Sequence, residues 1–230
     1  MVLATEKLNK TQVFIFLGRA GCGKGTQAKL LVDKFNLAYI GSGEMLRSLS
    51  RQLGFTGQKT AAVMNSGDLV PTFLIFRLWV NFLEETKINQ NQDFSGLVFD
   101  GSPRKLVEAQ MLEEALRWYE WDKNLKVLLV DISREEAFNR LTKRRQCKNC
   151  GQLILFVGYY KILEKCDKCG GELIERVDDA PEAINLRLDL FEQEVKPVID
   201  YFDKKGLLVK INGEQPIENV HQEILSKIGK

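Results

Sequence analysis

A glycine-rich loop near the start of the chain carries residue types suited to holding phosphate. An apolar run begins at Val13, and the stretch after it reads Gly18-Arg-Ala-Gly-Cys-Gly-Lys24-Gly-Thr26. Glycines let successive backbone N–H groups face one concavity, and a helix that begins there adds partial positive charge. Lys24 would place a compact cation beside the outer phosphates of a nucleotide. A strand, a glycine-rich loop and a helix in this order predict a phosphate-binding loop.

The loop departs from the general pattern at one position. Ser or Thr normally follows the lysine and binds Mg²⁺ directly. Here Gly25 follows Lys24, and Thr26 comes one residue later. The difference indicates a particular branch of phosphate-loop proteins.

Four of the five cysteines form two Cys-x-x-Cys pairs with fifteen residues between the pairs. The four residues are Cys147, Cys150, Cys166 and Cys169. This spacing is typical of a tetrahedral zinc site, and four thiolates leave no open position, so the zinc would be structural. Iron at a four-cysteine site remains an alternative, whereas paired disulfides do not fit a reducing compartment. The one histidine, His221, does not suggest Cys–His or Ser–His hydrolase chemistry.

The composition is that of an ordinary globular protein. The 230 residues are 44% hydrophobic and 28% charged, with a net charge of +2, so no broad basic field indicates nucleic acid as a partner. The apolar run at 71–83 is interrupted by Arg77 and Asn81, and we expect no membrane span. The first dozen residues lack a signal-peptide segment, so we expect a short tail and a cytoplasmic protein.

Apolar runs alternate with helical periodicity along the chain. Strands are predicted at 13–17, 37–40, 97–100, 126–132 and 207–211. Helices are predicted at 24–35, 106–121, 135–145, 180–204 and 217–228, with a further helical stretch at about 56–83. We expect Gly67 and Pro71 to break that stretch, Pro197 to kink the helix that contains it, and Ser42 to cap a helix. The alternation predicts an α/β fold with a doubly wound, parallel five-stranded sheet and helices on both faces.

The order of five motifs resembles the adenylate kinase family. They are Gly-Arg-Ala-Gly-Cys-Gly-Lys-Gly-Thr-Gln (18–27), Gly-Ser-Gly-Glu-Met-Leu-Arg (41–47), Asp-Gly-Ser-Pro-Arg (100–104), Arg-Leu-Thr-Lys-Arg-Arg (140–145) and Arg-Val-Asp-Asp (176–179). The likeness extends from about Val13 to Ile228, and the cysteine segment resembles the zinc-bearing lid of many bacterial members. It implies one phosphate-loop kinase domain over 1–230, with a monophosphate-binding arm at 41–70 and a zinc lid at 146–177.

The resemblance implies reversible phosphoryl transfer from MgATP to AMP, giving two ADP, by a monomeric enzyme. Such transfer needs positioning and charge neutralisation rather than a strong base. The implied catalytic residues are Lys24, Arg104, Arg144, Arg176 and Arg187. The implied ATP-binding residues are Gly21, Cys22, Gly23, Lys24, Gly25, Thr26, Arg140, Arg144, Leu153, Ile154 and Gln215. The implied AMP-binding residues are Ser42, Arg47, Asp68, Leu69, Val70, Gly101, Ser102, Pro103, Arg104, Glu108, Arg176 and Arg187. Asp100 would act on Mg²⁺ through water.

The chain departs from the family pattern at several positions. Arg19-Ala20 stand where the phosphate loop usually has Pro, Ser102 stands in place of Phe, and Leu153-Ile-Leu155 replace a Tyr-His pair in the lid. Glu108 replaces a Gln that reads adenine by donating and accepting hydrogen bonds. An ionised carboxylate only accepts, which suits the two N–H groups of guanine.

Two alternatives to AMP phosphorylation therefore stay open at this point. One is a kinase for another nucleoside monophosphate, of which GMP fits Glu108 best. The other is a non-catalytic phosphate-loop and zinc-ribbon module that binds nucleotide or nucleic acid. Such a module would bind ATP without fast transfer and would bind RNA or DNA in a salt-dependent way.

Overall fold

The computed structural model describes residues 10–91, 94–176 and 179–229. Residues 1–9 of the predicted tail lie outside these ranges, as do Val177 and Asp178 of the Arg-Val-Asp-Asp motif. Within the described ranges, no helix combines the length and the apolar character needed to cross a bilayer.

Strands and helices follow one another in the predicted order. The strands are β1 (Gln12–Leu17), β2 (Ala38–Gly41), β3 (Gly96–Asp100), β4 (Leu125–Asp131), β5 (Arg145–Cys147), β6 (Leu153–Ile154), β7 (Leu173–Glu175) and β8 (Leu208–Asn212). The helices are α1 (Lys24–Phe35), α2 (Ser42–Ser50), α3 (Phe55–Asn65), α4 (Thr72–Ile88), α5 (Leu106–Trp118), α6 (Arg134–Thr142), α7 (Pro181–Leu190), α8 (Lys196–Lys204) and α9 (Ile217–Ile228). A 3₁₀ turn spans Gly158–Ile162, and a π-helical turn spans Phe191–Val195.

In the described part of the chain, five strands form a parallel sheet in the order β2-β3-β1-β4-β8. Successive residues of β1 point to opposite faces, so Val13 and Ile15 enter one core and Phe14 and Phe16 enter the other. Helices α4, α5 and α8 cover the first face, and α1, α6, α7 and α9 cover the second. The predicted doubly wound α/β fold is confirmed.

The cysteine-rich segment forms a small unit between α6 and α7. Strand β5 pairs antiparallel with β6 and β7, which gives a three-stranded sheet in the described residues. The first Cys-x-x-Cys pair begins at the last residue of β5, the second lies before β7, and the sheet has few apolar residues of its own. A cross-link through the cysteines therefore suits a segment too small to build a core.

Three local expectations differ from the structure. Ser42 does not cap α2, because Gly41 occupies the cap position and no side chain bonds there. Helix α6 ends at Thr142, which leaves Arg144 and Arg145 on the approach to the cysteine unit. Pro197 lies in the first turn of α8, directly after the π-helical turn, so the long helix is interrupted before the proline.

Candidate active site

The phosphate loop joins β1 to α1 by a backbone that requires glycine. Gly18, Gly21 and Gly23 have φ values of 143°, 85° and 92°, in the region that side chains disfavour. Gly23 caps α1 without any side-chain acceptor, so the helix start offers backbone N–H groups to a ligand. Lys24 lies in the same cleft and donates to the carbonyl of Arg19 over 3.2 Å. The loop has the form of an anion-binding site.

Asp100 stands at the carboxyl end of β3, directly beside the loop. In the sheet, Asp100 pairs with Phe16 of β1 on one side and with Gly41 of β2 on the other. Oδ2 accepts a hydrogen bond from the Tyr39 hydroxyl at 2.9 Å, while Oδ1 is buried and has no hydrogen-bond partner among the described residues. A buried carboxylate oxygen without a partner is costly unless a cation or water serves it. Asp100 therefore fits the role of a Mg²⁺-associated residue.

A cleft of about 620 Å³ opens between the phosphate loop, α2 and the cysteine unit. Among the described residues, its lining contains nine basic side chains and two acidic ones. The basic residues are Lys24, Lys29, Arg47, Arg51, Arg104, Arg144, Lys168, Arg176 and Arg187. The acidic residues are Glu44 and Asp100. This excess of positive charge favours polyanionic ligands such as nucleoside triphosphates.

Two of these arginines are shielded from water, Arg144 being buried and Arg104 partly buried. Burial lowers the pKa of Arg104 and of Arg144 below the ordinary guanidinium value, and neighbouring Arg176 and Arg187 contribute to the lowering in both cases. Guanidinium groups remain charged in proteins, so the lowered pKa measures the unfavourable free energy of crowding cations away from water. A bound phosphate would relieve that free energy. The arginine cluster therefore favours the binding of anions.

Asp179 joins the arginines of two different segments. Its carboxylate accepts from Nε and Nη2 of Arg144, at 2.8 and 2.7 Å, and from Nη2 of Arg187 at 2.7 Å. The Asp179 side chain is only 5% exposed. A forked, buried contact of this kind fixes guanidinium planes in space. Asp179 thus orients the arginine after α6 relative to the arginine on α7.

A smaller cavity of about 90 Å³ adjoins the cleft on the side of α2, α3 and α5. Its lining includes the predicted AMP-binding residues Ser42, Asp68, Leu69, Val70, Ser102 and Glu108. Arg47, Arg104, Arg176 and Arg187 line both this cavity and the larger cleft. The guanidinium groups therefore lie between two adjacent binding spaces.

Glu108 has a structural contact in addition to its place in the smaller cavity. Its Oε2 accepts from the backbone N–H of Arg104 at 2.8 Å and of Lys105 at 3.4 Å, at the start of α5. Oε1 accepts from the Thr72 hydroxyl over 3.5 Å. Oε2 thus binds the N-terminus of α5, whereas Oε1 makes only the longer contact with Thr72.

Most of the predicted site residues are brought together, and four are not. The glycines of the loop, Thr26, Gly101, Pro103 and Leu153 line the cleft with the arginines. Cys22 and Ile154 are 2% and 3% exposed and do not line either cavity. Arg140 and Gln215 also lie outside both linings and instead donate to the backbone carbonyls of Gly213 and Asn212, respectively, at the end of β8.

The four predicted metal ligands form one cluster. All four sulfur atoms lie within 4.8 Å of one another. Two Sγ–Sγ separations are 3.5 Å (Cys147 to Cys169) and 3.6 Å (Cys150 to Cys166). A tetrahedron with metal–sulfur bonds of about 2.3 Å has sulfur–sulfur edges of about 3.8 Å. The N–H of Cys150 lowers the pKa of the Cys147 thiol, whereas hydrogen bonds with the other thiols raise that of Cys169, so Cys147 is the more readily ionised of the two.

Sequence reasoning missed several residues of the site. Tyr39 binds the Asp100 carboxylate and Asp179 binds Arg144 and Arg187, yet the sequence analysis assigned neither residue a role. Arg19 contacts Asp131, the carbonyl of Ile132 and Glu192 and lies 4.4 Å from the Phe191 ring centre. Asp179 is the last residue of the Arg-Val-Asp-Asp motif, and that motif is the sequence feature from which its role could have been inferred. Nothing local in the sequence indicates the partners of Arg19.

A nucleotide kinase must hold two phosphate chains end to end and neutralise both, and cations shared by two adjacent cavities meet that need. The fold and site therefore place the chain among phosphate-loop nucleotide kinases. A family model described as adenylate kinase matches residues 16–207. The chain belongs to the adenylate kinase family, as the motif order predicted.

Full-length similarity to relatives named adenylate kinase accompanies that match. The relative from Thermodesulfovibrio yellowstonii is 36% identical over 217 residues, covering 94% of this chain and 98% of its own length. The relative from Archaeoglobus fulgidus is 38% identical over 212 residues, covering 91% of this chain and 94% of its own length. The relative from Lactobacillus delbrueckii subsp. bulgaricus is 36% identical over 219 residues, with coverages of 94% and 98%.

Proposed function

We propose that the protein catalyses reversible phosphoryl transfer from MgATP to AMP, giving two ADP. The observation that carries this proposal is the set of arginines that lines both cavities. A donor triphosphate in the cleft and an acceptor monophosphate in the smaller cavity would meet at these guanidinium groups. Charge on the moving phosphoryl group would be neutralised where it develops.

The donor end is built from the phosphate loop. Backbone N–H groups of the loop and of the α1 N-terminus bind the ATP phosphates, and Lys24 neutralises the outer ones. The acceptor is already a phosphate, so no general base is required. The protein's contribution is alignment, neutralisation and exclusion of water.

Mg²⁺ fits this site because of Asp100. The carboxylate has one buried oxygen without a hydrogen-bond partner among the described residues, and it lies beside the loop that would hold the phosphates. Bound Mg²⁺ would screen the phosphate charge and help orient the triphosphate. Asp100 would hold the ion through water, while Tyr39 keeps the carboxylate in place.

The arms at 41–70 and 146–177 would close over the two nucleotides. Residues of both arms line the cleft, among them Arg47 and Leu69 on one side and Leu153 and Lys168 on the other. Closure would expel water and prevent transfer of the phosphoryl group to it. Arg140 and Gln215 would act at the edge of the ATP adenine, through the backbone at the end of β8 that both contact.

AMP is the acceptor that the relatives support. The relatives from Thermodesulfovibrio yellowstonii, Archaeoglobus fulgidus and Lactobacillus delbrueckii all carry the name adenylate kinase. The guanine alternative is therefore not favoured, despite Glu108. A structural zinc ion in the four-cysteine cluster completes the proposal, because the sulfur spacing approaches that of a ZnS₄ tetrahedron.

A coupled assay for ADP tests this function directly. With MgATP and AMP, the wild-type protein should form two ADP for each AMP consumed. Arg187→Lys should lower kcat by about a hundredfold or more, because an ammonium group cannot bind phosphate in a forked geometry. Arg117→Lys, an exposed change on α5, is the matched control and should leave kcat unchanged.

The alternative of a binding module makes the opposite prediction. ATP binding without ADP formation, together with tight, salt-dependent binding of RNA or DNA, would overturn the kinase proposal.

A further inference from the structure

The side chain of Arg19 lies outside both cavities, although its backbone belongs to the phosphate loop. The residues on either side of it, Gly18 and Ala20, line the cleft, whereas Arg19 lines neither the cleft nor the smaller cavity. Its side chain is only 17% exposed, so the guanidinium is packed against the protein. Arg19 is therefore placed to act on neighbouring segments rather than directly on a bound phosphate.

The Arg19 guanidinium contacts the end of β4 and the π-helical turn at the same time. Nη1 donates to the Ile132 carbonyl at 2.9 Å and to Asp131 Oδ1 at 3.2 Å. Nη2 donates to Glu192 Oε1 at 2.5 Å, and the guanidinium carbon lies 4.4 Å from the Phe191 ring centre. Bonds from separate nitrogen atoms to separate segments fix the plane of a guanidinium. Arg19 thus joins the phosphate loop to two elements that are distant in the sequence.

The π-helical turn that Arg19 contacts also forms part of the cleft. Phe191 and Val195, at the two ends of the turn, both line the cleft. Arg187, which lines both cavities, lies on α7 four residues before Phe191. Single π-helical turns within helices are found frequently at functional sites. The contact with Arg19 therefore fixes the phosphate loop relative to the helix that carries Arg187.

The backbone of Arg19 contributes to the shape of the loop. Its carbonyl accepts from the N–H of Cys22 and from Lys24 Nζ, both at 3.2 Å. The family pattern has Pro where this chain has Arg19-Ala20, and a proline ring restricts a loop by fixing φ. This chain lacks that restriction next to a loop rich in glycine, which is the most flexible residue.

We propose that Arg19 is a positioning residue for the donor nucleotide, because its side-chain bonds hold the phosphate loop in the form that binds the ATP phosphates. The contacts with β4 and the π-helical turn take the place of the stiffness that proline gives to the loop. Without the guanidinium, the free energy of ordering the loop is taken from the free energy of ATP binding. The role rests on the proposed function, in which MgATP binds at this loop.

Calorimetric titration with two ligands tests this role without relying on turnover. The Mg²⁺ complex of an ATP analogue with an imido group between the β and γ phosphorus atoms probes the donor site, and AMP probes the acceptor site. Arg19→Ala should raise the Kd of the analogue about tenfold, the equivalent of one charge-assisted hydrogen bond. The Kd of AMP should change less than about twofold, since neither Arg19 nor its four partners line the smaller cavity. In the ADP assay, KM should rise for MgATP but not for AMP.

Two glutamates of the π-helical turn provide a matched pair of variants. Glu192→Gln and Glu194→Gln each remove one carboxylate charge, but Glu192 accepts from Arg19, whereas Glu194 makes no ion pair in the described part of the chain. Glu192→Gln should raise the Kd of the analogue about threefold in the wild type and not at all in Arg19→Ala, because the two side chains act through one contact. Glu194→Gln should leave the Kd unchanged. Glu192 is 40% exposed, so its substitution tests the contact even if Arg19→Ala does not fold.

The outcomes separate this role from the function on which it rests. If the wild type forms no ADP from MgATP and AMP, the kinase function is wrong, and the analogue titration still decides whether Arg19 positions the loop. An unchanged Kd of the analogue in Arg19→Ala, accompanied only by a lower Tm, would make Arg19 a purely structural contact and overturn the proposal. Equal losses of affinity for the analogue and for AMP would also overturn it, as would additive effects of Arg19→Ala and Glu192→Gln.

Discussion

A β-carbon on Gly25 would lie 2.8 Å from Oδ2 of Asp100, so the phosphate loop and the end of β3 pack with no room for a side chain. The same oxygen is held by Tyr39, which prevents the carboxylate from moving aside at low cost. The glycine that displaces Thr26 by one position is therefore required by the carboxylate beside it.

Replacing Gly25 should lower the catalytic rate through a steric clash, without straining the backbone. Gly25 lies in α1 outside the left-handed region, so Gly25→Ala adds only the clash with Asp100. We expect kcat with MgATP to fall by at least about tenfold as the carboxylate is displaced. Gly229→Ala, where the β-carbon meets its nearest atom at 3.3 Å after α9, is the matched control. Equal activity of both variants would contradict the steric interpretation.

Asp179 should contribute far more stability than an exposed aspartate of the same helix region. Asp179→Asn removes the carboxylate charge that both Arg144 and Arg187 bind, which should lower the free energy of unfolding by about 3 kcal/mol. Asp189→Asn breaks an exposed pair with Arg134 and should cost under about 1 kcal/mol. Urea unfolding measures both values. Added ATP should recover part of the loss in Asp179→Asn, since phosphate replaces the missing anion.

Loss of a cysteine ligand should remove the metal and destabilise the fold. Wild-type protein should contain one zinc per chain by elemental analysis, and Cys147→Ser should contain none and have a lower Tm. Turnover by the molecules that remain folded should change less than Tm. Cys22→Ser, outside the cluster, should retain the zinc. Metal removal that abolished activity while leaving Tm unchanged would argue against a structural role.

Arg19 should stabilise the packing of the phosphate loop against the π-helical turn. Arg19→Ala removes contacts with Asp131 and Glu192 and the stacking on Phe191. We expect a loss of about 1–2 kcal/mol in the free energy of unfolding, from the hydrogen bonds and the cation–π contact. Arg134→Ala, an exposed control, should lose less than half as much.

The single histidine makes stability depend on pH in a defined direction. Burial, and then the charge of Lys34, lowers the pKa of His221 below its ordinary value. The unfolded chain takes up a proton at about pH 6.5, while the folded protein does so only at lower pH. Folding stability due to His221 is therefore complete above about pH 6.5 and decreases as the pH falls toward the folded pKa.

Comparison with His221→Gln isolates this contribution. The pKa values of Glu214 and Glu223 are also lowered, so acid weakens the fold through them in both proteins. The free energy of unfolding of the wild type should drop more than that of the variant between about pH 7.5 and about pH 5.5. One histidine also gives one set of ring signals in a proton NMR titration. A folded-state midpoint at or above about 6.5 would contradict the prediction.

The sequence by itself determined the architecture and the chemistry class. Alternating apolar runs and helical periods predicted the parallel sheet, and helices α1 and α9 begin and end where predicted. The glycine spacing, the cysteine pairs and the motif order identified the phosphate loop, the thiolate cluster and the family. These features are local, or are read from order along the chain, so residue types and spacing suffice to find them.

Only the tertiary structure decided which groups face one another. The hydroxyl of Ser42 bonds to Trp79 and Ser102, 37 and 60 residues away, rather than capping its own helix. Asp179 meets Arg144 across 35 residues, and Gly25 of α1 meets Asp100 at the end of β3. Hydrogen bonds and steric contacts act over a few ångströms, and the chain brings these atoms together only when the sheet and its helices have packed.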